Sequence, residues 1–111
     1  MRLGEIELFC ADVESTRDFY TDLLGFESVE EEHSVQLCLG NLNLVLKPGQ
    51  LSQSSPYHSA QTALVLYTTL GSDIKAAFES AGIPYEMDNA NPPGILIQDP
   101  DRRWIQIIEH S

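Results

Sequence analysis

A tandem repeat constrains the fold of this 111-residue chain more than any other feature. In the first half, the strand-like run Ile6–Cys10 precedes a predicted helix over Val13–Leu24, and Gly25 ends that helix before three short strand-like runs. The second half repeats this order about 57 positions later, with Gly82 at the end of its helix. The pattern therefore predicts two tandem β-α-β-β-β modules in the α+β class.

The helix starts and the remaining strands follow from capping residues and alternation. Asp12 is a predicted N-cap of the first helix, and either Ser72 or Asp73 is predicted to cap the second. The other predicted strands are Phe26–Glu31, Val35–Leu39, Leu42–Leu46, Thr62–Thr68, Ile83–Met87, Ile95–Gln98 and Trp104–Glu109.

A segment rich in Ser and Pro separates the two modules. We predict one domain over residues 1–111, with module one at 1–47, a linker at 48–59 and module two at 60–111. A linker of this length is either functional or mobile. Each module is too small to bury its own core well, so we expect the modules to pack on each other or on a second chain. Pairing the sheets would leave a concave trough, the natural place for a ligand.

Charge excludes several classes of partner. Six Lys and Arg stand against 17 Asp and Glu, which gives a net charge of −11. This field repels a phosphate backbone and an anionic membrane, so we expect neither nucleic acid nor membrane as a partner. A cationic or neutral small ligand is compatible, although the charge could serve only solubility. Two cysteines and the lack of a signal-like apolar start predict a cytoplasmic protein with reduced thiols.

Two stretches, one near each end of the chain, carry a family resemblance. The first is EIELFCADVESTRDFY at 5–20 followed by LLGF at 23–26, and the second is DPDRRWIQI at 99–107. Together they resemble the vicinal oxygen chelate superfamily, the group of glyoxalases, bleomycin-resistance proteins and extradiol dioxygenases. The resemblance implies paired modules in a half-open barrel over a small-molecule site. It also implies, in many members, a divalent metal held by the first and last strand of each module.

The metal positions that the resemblance implies are poorly filled. They fall on Glu5, on Asn43 and Gln106, and on either Thr62 or Ala63. Neither Thr62 nor Ala63 is a useful ligand for a divalent metal. We therefore expect a degenerate metal site with Glu5 and Gln106 as its weak candidates. No cofactor is assigned, and a divalent metal remains an alternative.

Aromatic and polar residues on the same strand faces are the candidate ligand contacts. Phe9 and Tyr67 would be paired aromatic walls, one from each module, although both could equally belong to the core. His58 is interpreted as a loop histidine, and no catalytic residue is assigned. The predicted ligand-binding residues are Glu5, Glu7, Phe9, Asn43, Ala63, Tyr67 and Gln106.

Three further positions have structural interpretations. Cys10 is predicted to be a core thiol, and the acidic run at 30–32 is predicted to form a solvated edge strand. Arg102 stands where the family turn usually has glycine, and a left-handed residue there would cost about 1 kcal/mol, so we expect another turn type. With Arg103, it could offset local acidity or neutralise an anionic group near the trough.

Three functions remain open at this point. The first is binding of a small molecule, with sequestration of a cationic or aromatic compound. The second is a metal-dependent lyase or isomerase of the glyoxalase type, or a dioxygenase-like activity, using Glu5 and Gln106. The third is a non-catalytic interaction module. A homodimer is expected because the modules leave exposed strand edges.

Overall fold

The computed structural model describes residues 1–32, 34–51, 53–69, 71–89 and 93–109. The chain forms two compact units, residues 1–52 and residues 53–111, and the boundary lies within the segment 48–59. Within these described ranges, each unit contains a four-stranded sheet and one α-helix. The predicted α+β class and the two tandem β-α-β-β-β modules are therefore confirmed. His33, in the predicted turn after the acidic run, lies outside the described residues.

The first unit has the strand order β1-β4-β3-β2, in which β1 and β4 are parallel and the other pairs are antiparallel. Its edge strand β2 is exposed along its whole length, as the acidic composition predicts. Its elements are β1 (Ile6–Cys10), α1 (Val13–Asp18), β2 (Glu27–Glu31), β3 (Ser34–Leu39) and β4 (Leu42–Pro48).

Alternation along the strands gives this sheet one buried and one open face. The Cys10 thiol is buried and donates to the Leu8 carbonyl at 3.4 Å, so the predicted core thiol is confirmed. The residues of the buried face and of the segments that cover it are Leu8, Cys10, Thr16, Tyr20, Phe26, Leu37, Leu44 and Leu46.

The first helix starts as predicted and changes geometry before its end. The Asp12 carboxylate accepts the backbone N–H of Glu14 at 3.1 Å and of Ser15 at 3.3 Å, so the predicted N-cap is confirmed. The α-helix then gives way to a π-helical turn at Phe19–Leu23, which corrects the uniform helix predicted over Val13–Leu24. Gly25, at φ +78°, ends this turn in the left-handed region.

The second unit repeats the arrangement with the strand order β5-β8-β7-β6, in which only the β5–β8 pair is parallel. A short 3-10 turn, Tyr57–Ser59, precedes the sheet. Its elements are β5 (Ala63–Thr68), α2 (Gly71–Ala81), β6 (Glu86–Asp88), β7 (Gly94–Gln98) and β8 (Trp104–Glu109).

The central strands of the second unit are buried on both faces. Ile95, Ile97, Ile105 and Ile107 occupy one face, and Leu96, Trp104, Gln106 and Ile108 occupy the other.

The α2 helix begins at Gly71, so Ser72 and Asp73 lie in its first turn and the predicted capping by one of them is wrong. The predicted strand Ile83–Met87 is shorter and later, at Glu86–Asp88. In the described part of the chain, no helix is long and apolar enough to cross a membrane.

Candidate functional site

The predicted site residues of the first unit lie on the open face of its sheet. Glu7 and Phe9 pair with Val45 and Lys47 of β4, and the Glu7 carboxylate forms an ion pair with the Lys47 ammonium group. The Lys47 ammonium group also donates a hydrogen bond to the Glu7 carboxylate within this ion pair, and that bond raises the pKa of Lys47 above its ordinary value. Phe9 is 54% exposed, so its ring is not part of the core. Glu5, which precedes β1, and Asn43 are exposed as well.

The predicted site residues of the second unit share one face of the other sheet. Ala63 and Tyr67 alternate along β5 on the face that also carries Gln106 of β8. Tyr67 is 67% exposed and Ala63 is exposed, whereas Gln106 is only 9% exposed. The interpretation of Tyr67 as a core residue is therefore wrong. Of these three residues, only Gln106 is buried.

The strand register explains which side chains surround Gln106. A row of paired residues crosses all four strands from Val65 through Gln106 and Leu96 to Glu86. The next row runs from Tyr67 through Ile108 and Gly94 to Asp88. Because paired residues in neighbouring strands point to the same face, the carboxylates of β6 lie on the same side of the sheet as Gln106.

A pocket of about 580 Å³ lies between this face and the residues that precede the sheet. We call it the β6–β8 pocket, and we call residues 54–58, which form its other wall, the 54–58 segment. Its polar lining includes the carboxylates Glu86 and Asp88 and the imidazole of His58. Its apolar lining includes the rings of Tyr57 and Trp104 and the side chain of Leu96.

Hydrogen bonds and a ring contact hold the 54–58 segment against the sheet. The indole Nε1–H of Trp104 donates to the Ser55 carbonyl at 2.7 Å. The Gln98 amide nitrogen donates to the Ser54 hydroxyl at 3.3 Å. The ring of Tyr57 meets that of Trp104 edge to face, with centroids 5.8 Å apart. The pocket wall is therefore fixed by side chains of β7 and β8.

A short hydrogen-bonded chain runs beside the pocket from the segment to β6. The Tyr57 hydroxyl donates to Oε1 of Gln106 at 3.2 Å. In turn, Nε2 of Gln106 donates to Oδ2 of Asp88 at 3.1 Å. The Gln106 side chain reaches Asp88 by crossing Gly94, where a Cβ would stand only 2.6 Å from Nε2. Glycine at position 94 is thus a steric requirement of this chain.

The turn between β7 and β8 departs from the sequence expectation. Arg102 has φ +67°, so the turn keeps the left-handed residue and the expected change of turn type is wrong. The buried Asp99 carboxylate holds the turn by accepting the backbone N–H groups of Asp101 and Arg103, both at 2.9 Å. Arg103 also forms ion pairs with both aspartates, so it offsets local acidity, one of its two predicted roles.

The match of a protein-family model settles the family. The model of the Glyoxalase/Bleomycin resistance protein/Dioxygenase superfamily matches residues 2–107. The chain belongs to this superfamily. The family therefore extends over both modules, as the resemblance of the two terminal stretches indicates.

Solved structures share the fold of this superfamily member at low sequence identity. A virulence protein of Salmonella typhimurium is 23% identical, with a TM-score of 0.73, and 100% of this chain and 98% of that chain are covered. A lactoylglutathione lyase of Agrobacterium tumefaciens is 21% identical, with a TM-score of 0.72 and coverage of 97% and 92%. The fosfomycin resistance protein FosX of Listeria monocytogenes is 14% identical, with a TM-score of 0.76 and coverage of 100% and 94%. No curated protein sequence matches the chain significantly.

The donors at the superfamily's metal positions do not fit a resident divalent metal in this chain. Glu5 supplies one carboxylate, Asn43 and Gln106 supply neutral amides, and the remaining position falls on Thr62 or Ala63, neither of which is a useful ligand for a divalent metal. Within the described ranges, no three His, Cys, Asp or Glu side chains group closely enough to hold a metal ion.

Tyr57, Asp88 and Trp104 are pocket residues that sequence reasoning missed. Tyr57 lies in a segment interpreted as a linker, and Asp88 lies one residue beyond the predicted end of its strand. The one available signal was the length of the linker, because irregular segments of that length are often functional.

Proposed function

We propose that this protein binds a small organic cation with an apolar or aromatic body, and that the β6–β8 pocket is its binding site. The observation that carries the proposal is the joint presence of two carboxylates and two aromatic rings around one pocket. Glu86 and Asp88 would neutralise the charge of the ligand, and Tyr57 and Trp104 would contact its body. The pocket volume lies in the range of roughly 300–1,000 Å³ that is usual for small-molecule sites.

Elementary electrostatics supports this choice of charge. Carboxylates and the faces of aromatic rings both attract cations, and a ring contact contributes roughly 0.5–2 kcal/mol, depending on how fully it is desolvated. The net charge of −11 adds a long-range field that favours the approach of cations and disfavours anions. Sequestration would need no further chemistry, because binding alone lowers the concentration of free ligand.

The proposal keeps the other predicted ligand contacts as secondary. Ala63 and Tyr67 lie on the same sheet face as Gln106, and they would extend the binding surface beyond the pocket. Glu5, Glu7, Phe9 and Asn43 belong to the first unit and remain candidates there. We also keep the expected homodimer and the cytoplasm as its compartment, where the two thiols would stay reduced.

A metal-dependent enzyme is the second candidate, favoured by two of the structural neighbours. The Agrobacterium neighbour is a lactoylglutathione lyase, and a Listeria FosX mutant is complexed with Mn(II) and a dihydroxypropylphosphonic acid. Near-stoichiometric retention of a divalent metal that Glu5→Ala abolishes would favour this alternative. A non-catalytic module would be favoured instead if no small molecule binds.

The binding proposal is tested by isothermal titration calorimetry with benzylammonium and benzoate, two probes of similar size and opposite charge. We expect benzylammonium to bind and benzoate not to bind. Asp88→Asn should weaken benzylammonium binding at least about fivefold, because it removes one carboxylate from the pocket. Asp73→Asn makes the same chemical change in the first turn of α2, outside the pocket lining, and should leave affinity unchanged.

Two results would contradict the binding proposal. One is equal affinity for benzoate and benzylammonium, which would mean that the carboxylates do not select charge. The other is an equal loss of affinity in Asp88→Asn and Asp73→Asn, which would reduce their role to the total charge of the protein.

A further inference from the structure

The hydrogen bonds beside the pocket run in one direction, and Asp88 sets that direction. An ionised carboxylate accepts hydrogen bonds and cannot donate them. Gln106 must therefore turn its Nε2–H₂ group towards Asp88, which leaves its Oε1 towards Tyr57. An amide oxygen also only accepts hydrogen bonds. The Tyr57 hydroxyl must therefore use its single hydrogen to donate to Oε1 of Gln106. Because the Asp88 carboxylate only accepts hydrogen bonds, it fixes the orientation of the Gln106 amide and of the Tyr57 hydroxyl.

The other side-chain N–H donors of β7 and β8 that line the pocket are also engaged with the protein. The single indole N–H of Trp104 donates to the Ser55 carbonyl. The Gln98 amide nitrogen has two hydrogens, and it donates to the Ser54 hydroxyl and to the Arg102 carbonyl, both at 3.3 Å. These groups have no further hydrogen to offer a ligand.

The side chains of β6, β7, β8 and Tyr57 therefore present acceptors to a ligand, whereas the Ser54 hydroxyl and the His58 imidazole of the 54–58 segment can also donate. The carboxylates of Glu86 and Asp88 are acceptors by nature, and the phenol oxygen of Tyr57 has become one. The amide oxygen of Gln98 is also an acceptor, because a carbonyl oxygen carries no hydrogen. A ligand without donors would displace water from these acceptors without replacing the hydrogen bonds of that water, which is unfavourable.

We infer that the β6–β8 pocket selects cations that donate hydrogen bonds, namely primary ammonium, amidinium or guanidinium groups, over quaternary ammonium groups on the same body. This inference rests on the proposed function and narrows its ligand class. A pocket that used aromatic contacts alone would accept a quaternary ammonium as well, because the attraction between a ring and a cation needs no N–H group.

The test is a calorimetric series of benzyl cations with decreasing numbers of N–H donors: benzylammonium, benzylmethylammonium, benzyldimethylammonium and benzyltrimethylammonium. We expect affinity to fall stepwise, with the first binding roughly tenfold or more tightly than the last. In Asp88→Asn the preference should shrink towards unity, since the amide that replaces the carboxylate carries donors of its own and releases the orientation of Gln106. Asp73→Asn should keep the full preference.

A second variant protects the test against a folding failure of Asp88→Asn. Glu86 is exposed at the pocket rim, so Glu86→Gln should fold and should also reduce the preference. Equal affinity across the series, or tighter binding of benzyltrimethylammonium, would overturn the inference and leave the proposed function standing. Binding of none of the four cations would overturn both.

Discussion

Gln106 places an amide at one of the metal positions that the family resemblance implies, and its two hydrogen-bond partners explain the amide. One neighbour, Tyr57, donates a hydrogen bond to Gln106, and the other, Asp88, only accepts one. An amide serves both, since it carries an acceptor and a donor on one planar group. A carboxylate at position 106 would face that of Asp88 at about hydrogen-bonding distance, and the repulsion would favour protonation of one of them.

The sequence predicted Gln106 as a ligand-binding residue but could not predict its hydrogen-bond partners. Alternation along β8 is a local pattern, and it correctly places Gln106 on the face opposite Ile105 and Ile107. Its contacts with Tyr57 and Asp88 join residues that are 49 and 18 positions away in the chain. Such contacts depend on strand register and on the path of the 54–58 segment, which no short window of sequence specifies.

Arg102 yields a prediction about stability at the scale of one residue. Its φ of +67° is strained for a residue with a Cβ, and glycine avoids that strain. Arg102→Gly should raise the free energy of unfolding by about 0.5–1 kcal/mol, after allowance for the greater freedom of glycine in the unfolded chain. Urea denaturation measures the change. Arg102→Ala keeps the Cβ and should give no gain, so equal effects of the two substitutions would refute the strain argument.

Among the elements, those with strong local signals were predicted best. The strand β8 has the predicted bounds, and the cap of α1 is the predicted one. The π-helical turn was missed because α and π turns differ in hydrogen bonding and not in composition. The strand β6 was misplaced because Ile83–Met87 contains Pro84, which lacks the N–H that strand pairing uses.

The 54–58 segment is the element whose importance the sequence understated. Its composition indicates an irregular connection, and the structure does place it outside the strands. What composition does not reveal is that Trp104, Gln98 and Gln106 each bond to this segment. A segment outside the strands and α-helices is therefore held by side chains and forms one wall of the candidate site.

For the whole molecule, the repeat and the charge are the informative properties. The repeat predicted the two modules because it depends on the order of elements and not on their exact bounds, whereas the family followed from the resemblance of two stretches of sequence. The net charge of −11 predicted a cation-compatible protein but not a location for the cation. The structure adds a candidate location, a pocket of the second unit whose rim carries Glu86 and Asp88.

The central claim, that the β6–β8 pocket binds organic cations, is tested most directly by NMR on the ¹⁵N-labelled protein. The chain has one tryptophan, so the indole N–H signal of Trp104 needs no assignment among others. Titration with benzylammonium should shift this signal in a saturable manner, and benzoate at equal concentration should leave it in place. A signal that stays in place while calorimetry detects benzylammonium binding would locate the site elsewhere and contradict the claim.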